Sequence, residues 1–303
     1  MSKNKKTIFV GAATALVTPF SGGKIDYPAL EKLIEHQIKS SIDALVVAGT
    51  TGEASTLTEE EYERLVSFSA EKIGGRVPLI AGSGSNNTEK SKKLTAIAEK
   101  NGADACLVVT PYYNKATNRG LFENYKEIAE STSLPIIVYN VPTRTCVNIS
   151  LDTYKALSKI ENIVAVKEAS PDISGCAELI FECGDDLDVY TGSDDQIVQT
   201  LSLGGLGAIS VASNIIPYEI HDICLSYLGG NTSYSKDQFK KYYGILRAMF
   251  TEVNPIPVKT ALSMLGVCKE EFRLPLCKIS DQNRAVLIDR MKEVGLLTYP
   301  ANG

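Results

Sequence analysis

The sequence predicts an α/β chain: a (β/α)8 TIM barrel with a C-terminal helical extension. Three observations point there. Eight short apolar, β-branched runs recur along the chain, a capped helical pattern follows each of them, and the strand rhythm stops near Gly229-Gly230-Asn231. The runs are IFVGAATALV (8–17), DALVVAG (43–49), VPLIAGS (77–83), ADACLVVT (103–110), LPIIVYNV (134–141), NIVAVKEA (162–169), LDVYTGS (187–193) and GLGAISVA (205–212). Their near-continuous hydrophobicity describes strands buried on both faces, as in a parallel sheet wrapped by helices.

The helices declare their ends. Asp26 caps a helix with Pro28 in its first turn and apolar residues at Leu30, Leu33, Ile34 and Ile38. Thr58 with Glu61 forms a capping-box pattern whose helix stops at Gly74-Gly75. Asn87 or Thr88 starts the next, which ends at Asn101-Gly102, and Ser150, Asp172, and Ser193 or Asp194 are caps for later ones. Beyond residue 230 the stretches KDQFKKYYGILRAMF and DQNRAVLIDRMKEVGLL read as helices. The expected division is residues 1–230 as the barrel carrying the active site and 231–303 as a C-terminal helical domain. A doubly wound open sheet is the competing architecture, but no GxGxxG follows the first strand and there is no GxxxxGK[ST].

Composition narrows the function. The 303 residues are 44% hydrophobic and 22% charged, which supports a large core. A net charge of −5 with interspersed signs gives no nucleic-acid footprint. Seven cysteines (Cys106, Cys146, Cys176, Cys183, Cys224, Cys268, Cys277) are scattered and never spaced CxxC, and the only histidines are His36 and His221. That pattern fits reduced cysteines in a cytoplasmic protein and gives a metal mechanism little to work with. Lys3, Lys5 and Lys6 before the apolar run from Ile8 to Phe20 resemble a secretory leader, but Gly11, Thr14 and Thr18 interrupt the run. No stretch approaches the ~20 apolar residues of a membrane helix.

Barrel enzymes carry their chemistry at the C-terminal ends of strands. The sixth run ends in Lys167-Glu168, and strand alternation puts Ile163, Ala165 and Lys167 on one face. An inward lysine at the rim would be desolvated, favouring the neutral amine that attacks a carbonyl. The alternative is a lysine leaving the barrel or pairing with Glu168. The second run ends in GTTGE (49–53), whose hydroxyls and amides can grip a small carboxylate. The fourth ends in TPYYN (110–114) and the fifth in YNVPTRT (139–145). Each of these, taken alone, also reads as a polar turn, a half-buried tyrosine or a loop arginine.

Together with VAVKEAS (164–170), GAISVASN (207–214) and NPIPVK (254–259), these motifs resemble those of the dihydrodipicolinate synthase family, in order and approximate spacing, nearly end to end. The resemblance implies that Lys167 forms a Schiff base with pyruvate, that the derived enamine attacks L-aspartate 4-semialdehyde, and that the adduct cyclises to 4-hydroxy-tetrahydrodipicolinate on the route to diaminopimelate and lysine. It implies no cofactor and no metal, because the protonated imine is the electron sink. Tyr139, Thr51 and Tyr113 match a hydroxyl proton relay, with Tyr113 supplied by a neighbouring subunit. Thr50 and Thr51 match the pyruvate-carboxylate site, Ile209 a residue whose backbone lines it, and Arg144 the residue that holds the semialdehyde carboxylate. Gly192 and Asn254 match residues around the site, although TGSDD (191–195) departs from the commoner SGDD or SGND pattern. A homotetramer built as a dimer of dimers is implied, with small-molecule substrates, no nucleic acid and no membrane.

The resemblance also bears on regulation. Lysine-inhibited members hold the effector at an interface pocket with an asparagine, a tyrosine and a glutamate. Asn86 and Tyr112 match the first two, but Lys90 stands at the glutamate's position, and Glu59 and Tyr62 replace the histidines of one sensitive pattern. Weak or absent feedback by lysine is expected, since a cation repels a cation. Two rivals remain. A related aldolase such as N-acetylneuraminate lyase would favour Ser-Thr in the glycine-flanked turn and lack Arg144. A barrel that has lost catalysis would show drift at Lys167, Tyr139 or Arg144.

Overall fold

A computed structural model of the chain describes residues 5–298; Lys3, part of the leader-like pattern, lies outside them. Eight parallel strands close into a barrel, as the apolar runs predict. They are β1 (Gly11–Ala15), β4 (Ala44–Val47), β5 (Leu79–Gly82), β6 (Ala105–Val109), β7 (Ile136–Asn140), β8 (Ile163–Glu168), β9 (Asp188–Thr191) and β10 (Gly207–Ser210), with β10 pairing back onto β1. Between β1 and β4 lies an antiparallel hairpin, β2 (Phe20–Ser21) with β3 (Lys24–Ile25). The sequence offers Phe20 only as the end of the leader-like apolar run from Ile8, not as a strand. Gly22 and Gly23, both at positive φ, were the missed turn signal.

Most of the expected caps form. Asp26 accepts from the Ala29 amide to start α1 (Tyr27–Lys39), and Thr58 and Glu61 complete a capping box on α2 (Glu59–Ile73). Asn87 caps α3 (Thr88–Lys100), and Thr117 caps α4 (Asn118–Glu130). The YNVPTRT loop contains a single helical turn, α5 (Pro142–Thr145). Ser150 and Asp172 cap α6 (Leu151–Leu157) and α7 (Ile173–Cys183).

The eighth helix departs from expectation. A 3-10 turn, Asp194–Gln196, precedes α8 (Ile197–Leu203), and neither Ser193 nor Asp194 caps it. Asp194 is turned inward instead, accepting from the Val211 and Ala212 amides at 3.1 and 2.9 Å. After α9 (Pro217–Leu228) and the Gly229-Gly230 break, the chain continues as α10 (Thr232–Ala248), α11 (Ile256–Met264) and α12 (Asp281–Glu293).

Two apolar layers result. Ala13, Ala44, Ile80, Leu107, Ile137, Ala165 and Ile209 fill the barrel interior, while Leu45, Val108, Val138, Val166 and Ile220 belong to the layer between strands and helices. One sequence expectation fails here. Ile163 faces the helices with Val166, not the interior with Ala165 and Lys167. A β-bulge is the reason: Ile136 pairs with Ile163 but Ile137 with Ala165, so Val164 is an extra residue and the phase of alternation shifts. Past the bulge, Ala165 and Lys167 share the inner face.

Candidate active site

The bulge leaves β7 and β8 in a register that pairs Tyr139 with Lys167 and Asn140 with Glu168. The first pair points into the barrel mouth and the second out toward the helices. Glu168 accepts from Asn140 Nδ2 with both oxygens at 3.0 Å, from the Tyr154 hydroxyl at 2.9 Å and from the Ser170 amide at 2.8 Å. Lys167 therefore does not pair with its neighbour. Its Nζ lies over the Tyr139 ring, 4.3 Å from the centroid, and the residue is only 5% exposed.

Burial sets the chemistry of that amine. Desolvation pulls the Lys167 pKa down to about 8; the carboxylate of Asp194 opposes the shift and the guanidinium of Arg144 adds to it. At pH 7.5 about a quarter of such amines are neutral, against about a thousandth of ordinary lysines. Glycine at 192 is what leaves the lysine its room, since a Cβ there would stand 2.7 Å from Lys167 Cε and 2.7 Å from Ala169 Cβ. Tyr139 is also buried. Desolvation raises its phenol pKa, while Arg144 and a hydrogen bond with the Thr50 hydroxyl pull the other way.

The two threonines of the GTTGE turn are thereby distinguished. Thr50 is the one at the phenol, whereas Thr51 Oγ1 accepts from Asn254 Nδ2 at 2.9 Å. The sequence reading put Thr51 beside Tyr139 in the relay. Successive residues of a tight turn project in different directions, and here Thr50 takes that position. Arg144, on the single turn α5, donates from Nη2 to the Asn254 carbonyl at 3.1 Å. Ile209 is fully buried on β10.

A cavity of about 440 Å³ opens above these groups, lined among others by Thr50, Thr51, Tyr139, Arg144, Lys167 and Gly192. Asn254 closes it from the C-terminal segment. Tyr113 does not line the cavity. It is 90% exposed, at a positive φ of 72°, on the loop after β6. A second cavity of about 280 Å³ shares Thr50, Tyr139 and Arg144 and runs out past Glu59, Tyr62, Lys90 and Tyr112.

Asp194, expected only as a helix cap, is instead part of the site. It is 1% exposed, and burial raises its carboxyl pKa while the Ser210 hydroxyl and two backbone amides lower it. The doubled aspartate in TGSDD was the available signal. Pattern alone could not say which of the two is fully buried; Asp195 instead lines the cavity and meets the exposed Arg247 at 2.7 Å.

The arrangement has a desolvated amine facing a cavity, a phenol–hydroxyl contact beside it, a turn of hydroxyls and amides, and a guanidinium at the mouth. It can condense the amine with a small keto acid and move protons over the adduct. Comparison with known proteins agrees. The model of the dihydrodipicolinate synthetase family matches residues 8–294. A 4-hydroxy-tetrahydrodipicolinate synthase of Thermoanaerobacter sp. (strain X514) is 46% identical over 291 residues, covering 96% of this chain and 98% of that protein. The crystal structure of dihydrodipicolinate synthase from Thermotoga maritima superposes with a TM-score of 0.94 at 43% identity, covering 96% of this chain and 100% of the other. That of the chloride-inhibited dihydrodipicolinate synthase from Acinetobacter baumannii complexed with pyruvate gives a TM-score of 0.94 at 40% identity, with 96% and 100% covered.

Proposed function

The chain belongs to the dihydrodipicolinate synthetase family, and from that premise we propose that it condenses pyruvate with L-aspartate 4-semialdehyde to 4-hydroxy-tetrahydrodipicolinate. The observation that supports this most is Lys167, buried, directed at a cavity and held near a pKa of about 8. Its neutral amine adds to the pyruvate ketone and water leaves, giving a protonated imine. Loss of a methyl proton gives the enamine, whose carbon attacks the aldehyde. The amino group of the adduct then closes on the imine carbon and displaces Lys167.

The other residues take roles by position. Thr50 and Tyr139 pass protons over the adduct, Thr51 and the amides of the same turn hold the pyruvate carboxylate, and Arg144 grips the carboxylate of the semialdehyde. Gly192 and Asn254 line the surrounding walls, and the Ile209 side chain belongs to the barrel interior. An arginine at 144 and a Thr-Thr turn favour this reaction over that of an N-acetylneuraminate lyase. The protein acts as a homotetramer, a dimer of dimers, in the cytoplasm, and the exposed Tyr113 completes the relay of a neighbouring subunit. The barrel, assigned to residues 1–230, carries the reacting groups, and the chain beyond it adds the helices α10 to α12 and lends Asn254 to the cavity wall. Among the described residues no helix is long and apolar enough to cross a membrane.

Borohydride reduction in the presence of pyruvate tests the proposal. A stable adduct mapping to Lys167 is the expected result, and labelling elsewhere or none at all would refute it. Feedback by lysine is weak or absent, because Lys90 lines the second cavity where an effector ammonium would bind, and the carboxylate that also lines it, Glu59, is already paired with Lys93. Inhibition curves should stay flat below millimolar lysine, and strong sub-millimolar inhibition would contradict this.

A further inference from the structure

Two residues of the GTTGE and NPIPVK motifs have no part in the chemistry above, yet they form the most deeply buried ion pair among the described residues. Lys259 Nζ lies 2.6 Å from Glu53 Oε1, and both side chains are 0% exposed. Glu53 is the left-handed end of the threonine turn, with φ at 55°. Its other oxygen, Oε2, accepts from the Arg273 amide at 3.1 Å. The Lys259 ammonium sits over the Phe20 ring, 4.1 Å from its centroid, with the Arg273 guanidinium 4.4 Å from the same centroid. Arg273 also donates from Nη1 to the Thr56 carbonyl and to Glu61, at 2.8 and 2.6 Å. Every carboxylate contact of Glu53 thus comes from the chain beyond residue 230.

A buried pair of this kind adds little net stability, because desolvating both charges offsets their attraction. Burial pulls the Lys259 pKa down while Glu53 pulls it back up. What the pair does supply is geometry. A non-glycine residue at positive φ is strained and persists only where its surroundings hold it. The turn's own bonds are Gly52 N to Gly49 O and Glu53 N to Thr50 O, both 3.1 Å. They fix its shape, and the Thr18 hydroxyl, donating to the Gly52 carbonyl at 2.7 Å, ties it to the segment after β1 at one point. Glu53, gripped on both oxygens, is the second anchor that sets the tilt, and with it the placement of Thr50 at Tyr139 and of Thr51 at Asn254.

We propose that Glu53 and Lys259 are positioning residues, a buried ion pair through which the C-terminal helices set the Thr50–Thr51 turn that receives the pyruvate carboxylate. The proposal rests on the function assigned above and extends it to residues that touch no substrate. The test is the charge-free double variant Glu53→Gln/Lys259→Met, which nearly conserves volume. In the folded variant, amide hydrogen exchange over residues 49–55 accelerates at least about tenfold while residues 105–109 are unchanged. The KM for pyruvate rises about tenfold and that for the semialdehyde stays within about threefold. A purely structural pair would not split the two substrates. Turn exchange and pyruvate KM both within about twofold of the parent overturn the proposal.

If the double variant does not fold, Glu53→Asp retains both charges and withdraws the carboxylate by one methylene. The same split is expected at about threefold, and its absence overturns the proposal equally. Borohydride trapping of the parent separates the two claims. Failure to label Lys167 defeats the assigned reaction, while the exchange experiment still decides whether the pair governs the turn.

Discussion

Lys167 is a base whose folded pKa lies below its unfolded value, and that fixes two outcomes. The rate of imine trapping should rise with pH along a curve whose midpoint lies at about 8, following the neutral amine. Replacing Arg144 by leucine should move that midpoint upward, because the guanidinium is one cause of the depression. Stability follows from the same shift. Between the folded value of about 8 and the unfolded 10.5, the unfolded chain holds the proton and the native state does not, so native stability rises with pH across that window. Below about 8 the full penalty applies, on the order of 3 kcal/mol. Lys167→Met should therefore be inactive but more stable than the parent at pH 7, with the gap narrowing at pH 9.5. Denaturant melts at the two pH values check this, and a variant less stable at pH 7 would contradict it.

At the scale of elements, β7 and β8 divide their labour by face. Inward, Tyr139 and Lys167 line the cavity; outward, Asn140 and Glu168 hold the strands in register. A one-residue slip would exchange the two sets, which is why the outward pair matters to the inward one. Asn140→Leu removes two of the four hydrogen bonds to the buried Glu168 carboxylate, both made by Asn140 Nδ2. It should cost about 1–3 kcal/mol in a denaturant melt. A midpoint indistinguishable from the parent would show that Tyr154 and the Ser170 amide suffice. The bulge at Val164 is part of the same design, since it brings Lys167 to the interior after Ile163 has faced the helices.

For the whole molecule, the exposed Tyr113 separates a self-sufficient barrel from one completed by a partner. In an isologous dimer each subunit would lend its tyrosine to the other. Mixing Lys167→Ala with Tyr113→Phe should then create one intact site per mixed dimer. Refolding the two variants together should restore roughly a quarter of the parent rate. Mixtures no more active than their components would show that Tyr113 serves no neighbouring site. The C-terminal segment belongs to this scale too, since Asn254, Lys259 and Arg273 reach back to the threonine turn across separations of 203, 206 and 220 residues.

Eight apolar runs, their caps and the motifs at their ends were enough to predict the barrel and the placement of Lys167, Tyr139, Arg144 and the threonine turn. These features are local: alternation, capping and turn chemistry act over a few residues, and strand ends in a barrel converge on one rim. Other features were not local. Whether Thr50 or Thr51 meets Tyr139, which aspartate of TGSDD faces the lysine, where the bulge shifts the phase, and that Glu53 is paired with Lys259 all depend on which surfaces the closed barrel and its C-terminal helices press together. Those contacts join residues far apart in the chain, and a buried charge records in the sequence that a partner is needed without recording which residue supplies it.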